Sequence, residues 1–186
     1  MLSVLLAALL LATPPPPDDW RTPFEKGNGN TTATYAECLA YYQRLDAAYP
    51  EILVREAGPT DSGEPLHEVV VALDGNFEPP AAAGRTRPVV LIQNGIHPGE
   101  PEGIDASMML ARDLMTKKEM KKLLKHLVIC IIPVYNVDGC INRNSSSRAN
   151  QNGPESYGFR GNYRNLDLNR DFIKCDSKNA RGFTRI

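Results

Sequence analysis

"PVVLIQNGIHPGEPEG", residues 88–103, decides the fold, because it reads as a strand, a rim and the opening of a helix. The apolar run "PVVLI" has the length and composition of a strand buried on both faces. Three glycines and two prolines then bring the chain around tightly, with His97 and Glu100 in the turn. From Pro101 to about Met115, Ile104, Met108 and Leu114 or Met115 recur at helical spacing. Pro101 or Glu102 opens this helix, where the carboxylate suits the dipole. A second short helix, "KEMKKLLKH", leads into "LVICIIPV", another buried-type strand. Strand, helix and strand in this order predict a crossover unit joining two parallel strands, hence an α/β fold.

Upstream, Thr34 to about Tyr49 reads as a helix. Thr34 and Glu37 have capping-box spacing, Tyr35, Leu39, Tyr42 and Leu45 recur at three and four residues, and Pro50 stops the run. "ILVREAG" and "LHEVVVALDG" are two strands joined by the turn-rich "PTDSGEP", a hairpin. Residues 13–33 form a proline-rich extended lead rather than a domain. Residues 1–12, "MLSVLLAALLLA", have the length of a signal-peptide core and are too short to span a bilayer comfortably. Ala12 offers a small residue for cleavage, and no cysteine follows to carry a lipid. The expectation is a secreted or periplasmic protein with no stable membrane anchor after signal cleavage. Downstream, Tyr135 to Asn165 is a long polar stretch rich in Asn, Ser, Gly and Arg, a length that usually marks function or mobility.

Composition narrows the function classes. The 186 residues carry a formal net charge of −1 and 42% hydrophobic residues, which suits one globular core. Nucleic acid is not an expected partner, because no basic excess is present. Four cysteines, Cys38, Cys130, Cys140 and Cys175, lack zinc-knuckle spacing and in an exported protein admit three disulfide pairings. Cys130, inside an apolar run, reads as a buried thiol.

The chemistry begins at the turn. In open α/β sheets ligands gather at the carboxyl ends of strands, where His97 and Glu100 fall. An imidazole and a carboxylate three residues apart can share one cation, and zinc accepts both at about 2.0–2.2 Å. With three His and eleven Glu in 186 residues, H-x-x-E arises by chance about 0.2 times, so the pair alone does not decide. His67, in a strand, and His126, ending a helix, lack acidic neighbours at ligand spacing. A second constellation, "NLDLNRDF" at residues 165–172, sets Asn169 beside Arg170. A planar guanidinium and an amide together suit a carboxylate; the bland alternative is a surface pair of Arg170 with Asp167 or Asp171. Arg143, Arg148, Arg160 and Arg164 supply cations for a developing oxyanion.

"HPGEPEG", "PVYNVDG" and "LDLNRDF", in this order, resemble the zinc carboxypeptidase family, and "RANQNG" from Arg148 is similar to its bacterial branches. The resemblance runs from about Thr34 to the last residue. It implies a three-layer α/β sandwich with a mixed, mainly parallel sheet over residues 34–186. It further implies Zn2+ held by His97 and Glu100, and a peptide substrate whose free C-terminal carboxylate is held by Asn169 and Arg170. Arg148 is the candidate for polarising the scissile carbonyl, with Arg160 or Arg164 as alternatives. In the family a third ligand, a histidine, and a glutamate general base follow well after the "LNR" motif.

No histidine follows His126 in these 186 residues. Eight residues at about 3.3 Å each put His126 roughly 26 Å from the far end of its strand, the wrong end of a parallel pair. The expectation is therefore the N-terminal part of a longer metallocarboxypeptidase domain. A zinc-dependent deacylase of N-acyl amino acids, or a non-catalytic module that binds peptide termini, are the other readings.

Overall fold

The computed structural model describes residues 20–78, 87–149 and 151–186; the expected signal segment and the start of the lead lie outside them. The chain runs α1 (Pro23–Lys26), α2 (Tyr35–Ala48), β1 (Ile52–Pro59), β2 (Pro65–Val71), β3 (Val89–Gln93), α3 (Glu102–Thr116), α4 (Lys118–Leu123), β4 (Val128–Ile132) and α5 (Val137–Ile141). A 3-10 turn (Leu168–Arg170) and α6 (Lys178–Phe183) follow.

Helix α2 starts as its sequence dictates. The Thr34 hydroxyl accepts from the Glu37 amide, and the Glu37 carboxylate accepts from the Thr34 N–H at 2.8 Å. It stops before Pro50, with Tyr49 extended, as a residue preceding proline prefers. β1 and β2 form the expected antiparallel hairpin, and β3 and β4 pair in parallel from Val89↔Val128 to Gln93↔Ile132, which establishes the crossover.

The sheet order is β1-β2-β4-β3. The sheet is mixed, but two of its three pairings are antiparallel, so within the described residues it is not mainly parallel. A second correction concerns β3. β4 is central and buried at all five positions, whereas Val89, Val90 and Leu91 of β3 are 40%, 41% and 45% exposed. β3 has a hydrogen-bonded neighbour only in β4 among the described residues, so its apolar run is an edge rather than a strand covered on both faces.

Helices α2 and α3 pack together, and α2 packs on β1. Tyr42, Leu45, Ile104, Met108 and Leu114 are fully or almost fully buried with Ile131 and Ile132. At about 25 cal/mol per Å² of apolar surface, this burial supplies the main drive for the fold. On another part of the sheet, Val70, Ala72 and Val128 form a smaller cluster. Cys130 is a buried thiol, pushed up to about 12 by burial and then by Glu68, whose carboxylate its sulfur meets at 3.5 Å.

The lead is not wholly extended. Trp20 is 2% exposed, and its carbonyl accepts from the Tyr41 hydroxyl at 2.8 Å. Thr22 and Glu25 cap α1 reciprocally, and Arg112 of α3 grips Glu25 at 2.7 Å. Buried Asp105 accepts from the Thr32 hydroxyl and, at 3.1 Å, from the Ala33 amide, so residues 20–33 are docked on α2 and α3.

Candidate metal centre

The turn after β3 is held from three sides. Asn94 extends the parallel pairing, donating its amide to the Ile132 carbonyl at 3.1 Å, while its side chain donates to Ser107 of α3 at 2.9 Å. Gly95 then takes φ 59°, and a Cβ there would press on Ile104 at 3.0 Å. The Glu100 amide closes the turn by donating to the His97 carbonyl at 2.8 Å. The chain thus delivers a buried imidazole and a half-exposed carboxylate to the carboxyl end of the parallel pair.

The two ring nitrogens of His97 have different partners. Arg160 Nη1 lies 3.3 Å from Nδ1, and a guanidinium only donates, so Nδ1 presents its lone pair. Nε2 therefore carries the proton and donates to Asp167 Oδ1 at 2.8 Å. Nδ1 and Glu100 Oε1 are 3.9 Å apart. Two donors on one tetrahedral zinc at about 2.1 Å each stand about 3.4 Å apart, so the pair is within about 0.5 Å of that spacing. The donor chemistry and spacing fit two ligands of one zinc ion. A carboxylate behind a ligand histidine fixes its tautomer and raises its basicity, and Asp167 occupies that position. Burial raises the Asp167 carboxyl, but hydrogen bonds from His97, Arg160 and the Asn169 amide outweigh it and hold the group at about 2. It is an anion at neutral pH.

The arginines separate by contact. Arg148 Nη2 meets Glu100 Oε1 at 2.7 Å, and Gln151 of the same loop donates to the Gly99 carbonyl at 2.9 Å. A Cβ on Gly99 would lie 2.5 Å from Arg148 Cδ, which can shift, and 3.0 Å from the Gly158 carbonyl oxygen, so the loop approaches the turn closely here. Arg160 bonds both His97 and, at 2.9 Å, Asp167 Oδ2. Arg143 instead holds the carbonyls of Ala33, Thr32 and Ser156, and Arg164 turns to the Asp176 carbonyl at 3.1 Å. Arg148 and Arg160 are thus brought to Glu100 and His97; Arg143 and Arg164 face other partners.

Asn169 and Arg170 lie exposed on the 3-10 turn that Asp167 caps, with the Asn169 amide donating to Asp167 Oδ1 at 3.0 Å. The "HPGE" and "LNR" motifs therefore meet at Asp167. Sequence reasoning missed its role. An Asp two residues before Asn169 is legible as a cap, but its bond to His97, 70 residues away, leaves no trace in local spacing.

The remaining histidines stand elsewhere. His67 pairs with the Tyr35 hydroxyl at 2.7 Å, and burial lowers its pKa. His126 precedes Val128, the residue opposite Val89, and so lies at the amino end of the parallel pair, away from His97. Among the described residues no group of three or more His, Cys, Asp or Glu is placed to hold a metal ion. None of the described helices is long and apolar enough to cross a membrane.

The site is thus an imidazole–carboxylate pair at the rim of a parallel strand pair in an α/β fold, with Asp167 behind the imidazole and the guanidinium groups of Arg148 and Arg160 against the pair. The chain belongs to the zinc carboxypeptidase family, whose sequence model matches residues 38–184. The fold is similar to that of a metallo-carboxypeptidase from Burkholderia cenocepacia, at TM-score 0.61 and 20% identity, covering 82% of this chain and 37% of that one. It is also similar to carboxypeptidase A from Helicoverpa armigera, at TM-score 0.52 and 24% identity, covering 61% of this chain and 26% of that one. Bovine thrombin-activatable fibrinolysis inhibitor, solved in complex with tick carboxypeptidase inhibitor, gives TM-score 0.56 and 20% identity, covering 77% and 44%. These likenesses carry the fold; the chain spans between about a quarter and under half the length of these structures. No curated protein matches the sequence.

Proposed function

We propose that this chain contributes the first part of the active site of an exported zinc metallocarboxypeptidase that removes C-terminal residues from peptides. The observation that carries the reading is the Asp167 junction. One carboxylate orients the metal-donor face of His97 and caps the turn bearing Asn169 and Arg170.

His97 Nδ1 and Glu100 would hold the zinc, which when bound supplies polarisation of the scissile carbonyl and acidification of a water. Asp167 keeps the proton on His97 Nε2, so that Nδ1 stays a donor. Asn169 and Arg170 bind the terminal carboxylate, the guanidinium through parallel hydrogen bonds. Arg148, already at Glu100, donates to the oxygen on which charge develops. The third donor and the general base would come from outside these 186 residues, a reading supported by the share of the solved relatives that the chain spans.

The test compares a peptide with a free C terminus and its C-terminally amidated form, using the complete enzyme with zinc. The free form should be hydrolysed at least a hundredfold faster, on the scale of about 3 kcal/mol for a charge-assisted carboxylate contact. Equal turnover of both would contradict a carboxylate clamp and favour the deacylase reading. No turnover with zinc bound would favour a binding module.

A further inference from the structure

Cys38 is the fourth residue of α2 and Cys140 the fourth of α5; each is 1% exposed, and the two helices pack together. The Cys140 sulfur accepts a hydrogen bond from the backbone amide of Tyr35, the first residue of α2. Helical side chains lean toward the amino terminus, and positions three apart share a face. The Cys38 side chain therefore leans toward the turn that begins with Tyr35, the residue whose amide Cys140 meets. Both backbones are pinned. The Thr34–Glu37 capping box and the Cys38 amide on the Thr34 carbonyl, at 2.9 Å, fix the start of α2. The Asn136 side chain accepts from the Gly139 amide, and the Cys140 amide donates to the Asn136 carbonyl, each at 2.9 Å. Neither sulfur takes part in the metal centre. The other two cysteines have different surroundings: Cys130 lies in β4 beside Glu68, and Cys175 lies beside the Phe172 carbonyl.

We propose that Cys38 and Cys140, free thiols in this structure, become a disulfide when the protein folds in an oxidising compartment, tying α2 to α5 through the core. The oxidant is a small or protein disulfide of the glutathione type. The Cys140 thiolate attacks one sulfur of that donor, forming a mixed disulfide and releasing one donor thiolate. Cys38 then loses its proton to solvent and attacks the Cys140 sulfur, releasing the second donor thiolate. Two protein thiols are oxidised to one S–S bond, and the donor is reduced to two thiols. The attacking form is the thiolate, which a solvent-exposed thiol reaches readily. Burial opposes it and pushes the folded Cys140 thiol up to about 11, so the exchange belongs to folding, before the core closes. The closed loop holds all four strands and the His97–Glu100 turn.

The complete protein is refolded from denaturant in oxidised and reduced glutathione, alkylated, and digested without reductant, and the four cysteines of these 186 residues are followed. The expected result is two alkylated cysteines, Cys130 and Cys175, and a peptide pair linked through Cys38 and Cys140. Oxidation of the same chain kept in denaturant gives a reference, where the short Cys130–Cys140 loop is favoured by chain statistics. A Cys130→Ala, Cys175→Ala double variant should still lose the mass of two hydrogen atoms on refolding. Four alkylated cysteines, or a linkage pattern equal to that in denaturant, would overturn the proposal.

Discussion

Asp167 carries more of the site than its neighbours in sequence suggest. It accepts the His97 Nε2–H at 2.8 Å and a bond from Arg160 at 2.9 Å, and it caps the turn of Asn169. In the complete enzyme, Asp167→Asn should weaken zinc binding about 10–100-fold, read by competition with a chelator. Unchanged affinity would remove Asp167 as the residue that orients His97. Two arginines contact the donor pair, and their roles differ by what they hold. Arg148 bonds the exposed edge of Glu100, whereas Arg160 is committed to Asp167 and His97. Arg148→Ala should lower kcat by about 10²–10³-fold with a smaller change in KM, as for loss of an oxyanion donor. If Arg160→Ala gives the larger fall in kcat, the oxyanion role passes to Arg160.

At the scale of elements, local signals were strong wherever a segment's own residues decide its state. Thr34 and Glu37 announced α2, Pro50 ended it, and the apolar runs on either side of α3 and α4 announced a parallel crossover. Thr34→Ala should cost about 1 kcal/mol, measured as a lower urea midpoint with an unchanged slope. Signals failed where the answer depends on a distant partner. "PVVLI" records that β3 seeks burial, but not that β4 is its single hydrogen-bonded neighbour among the described residues. The lead reads as stiff coil because its contacts, Trp20 with Tyr41 and Thr32 with Asp105, lie 21 and 73 residues away. The site was half legible for the same reason. His97, Glu100, Asn169 and Arg170 stand in compact motifs, while the bond that joins those motifs is long-range.

For the molecule as a whole, two features govern behaviour in solution. Arg112 of α3 ties the docked lead through Glu25 and also pairs with its helix neighbour Asp113. Burial raises both carboxyls, but hydrogen bonds outweigh it: Arg112 and Thr22 lower Glu25, and Lys117 and Arg112 lower Asp113. Folded values below the unfolded 4.5 and 3.8 give stability that is present above those values and lost as pH falls through the folded ones. Arg112→Leu should lower stability at neutral pH and flatten the acid limb of a stability–pH curve. An acid limb as steep as the parent's would contradict this origin. The second feature is the exposed β3 edge, which should make the 186-residue chain associate with rising concentration. Leu91→Lys should suppress that association in light scattering; equal association of both would place the sticky surface elsewhere.

The most direct test of the account is metal content. The complete enzyme, purified without chelator and dialysed against metal-free buffer, should retain about one zinc per chain by elemental analysis, as a three-ligand site requires. The His97→Ala, Glu100→Ala double variant should retain none. Zinc retained by the double variant, or absent from the parent, would contradict a metal centre at the rim of β3.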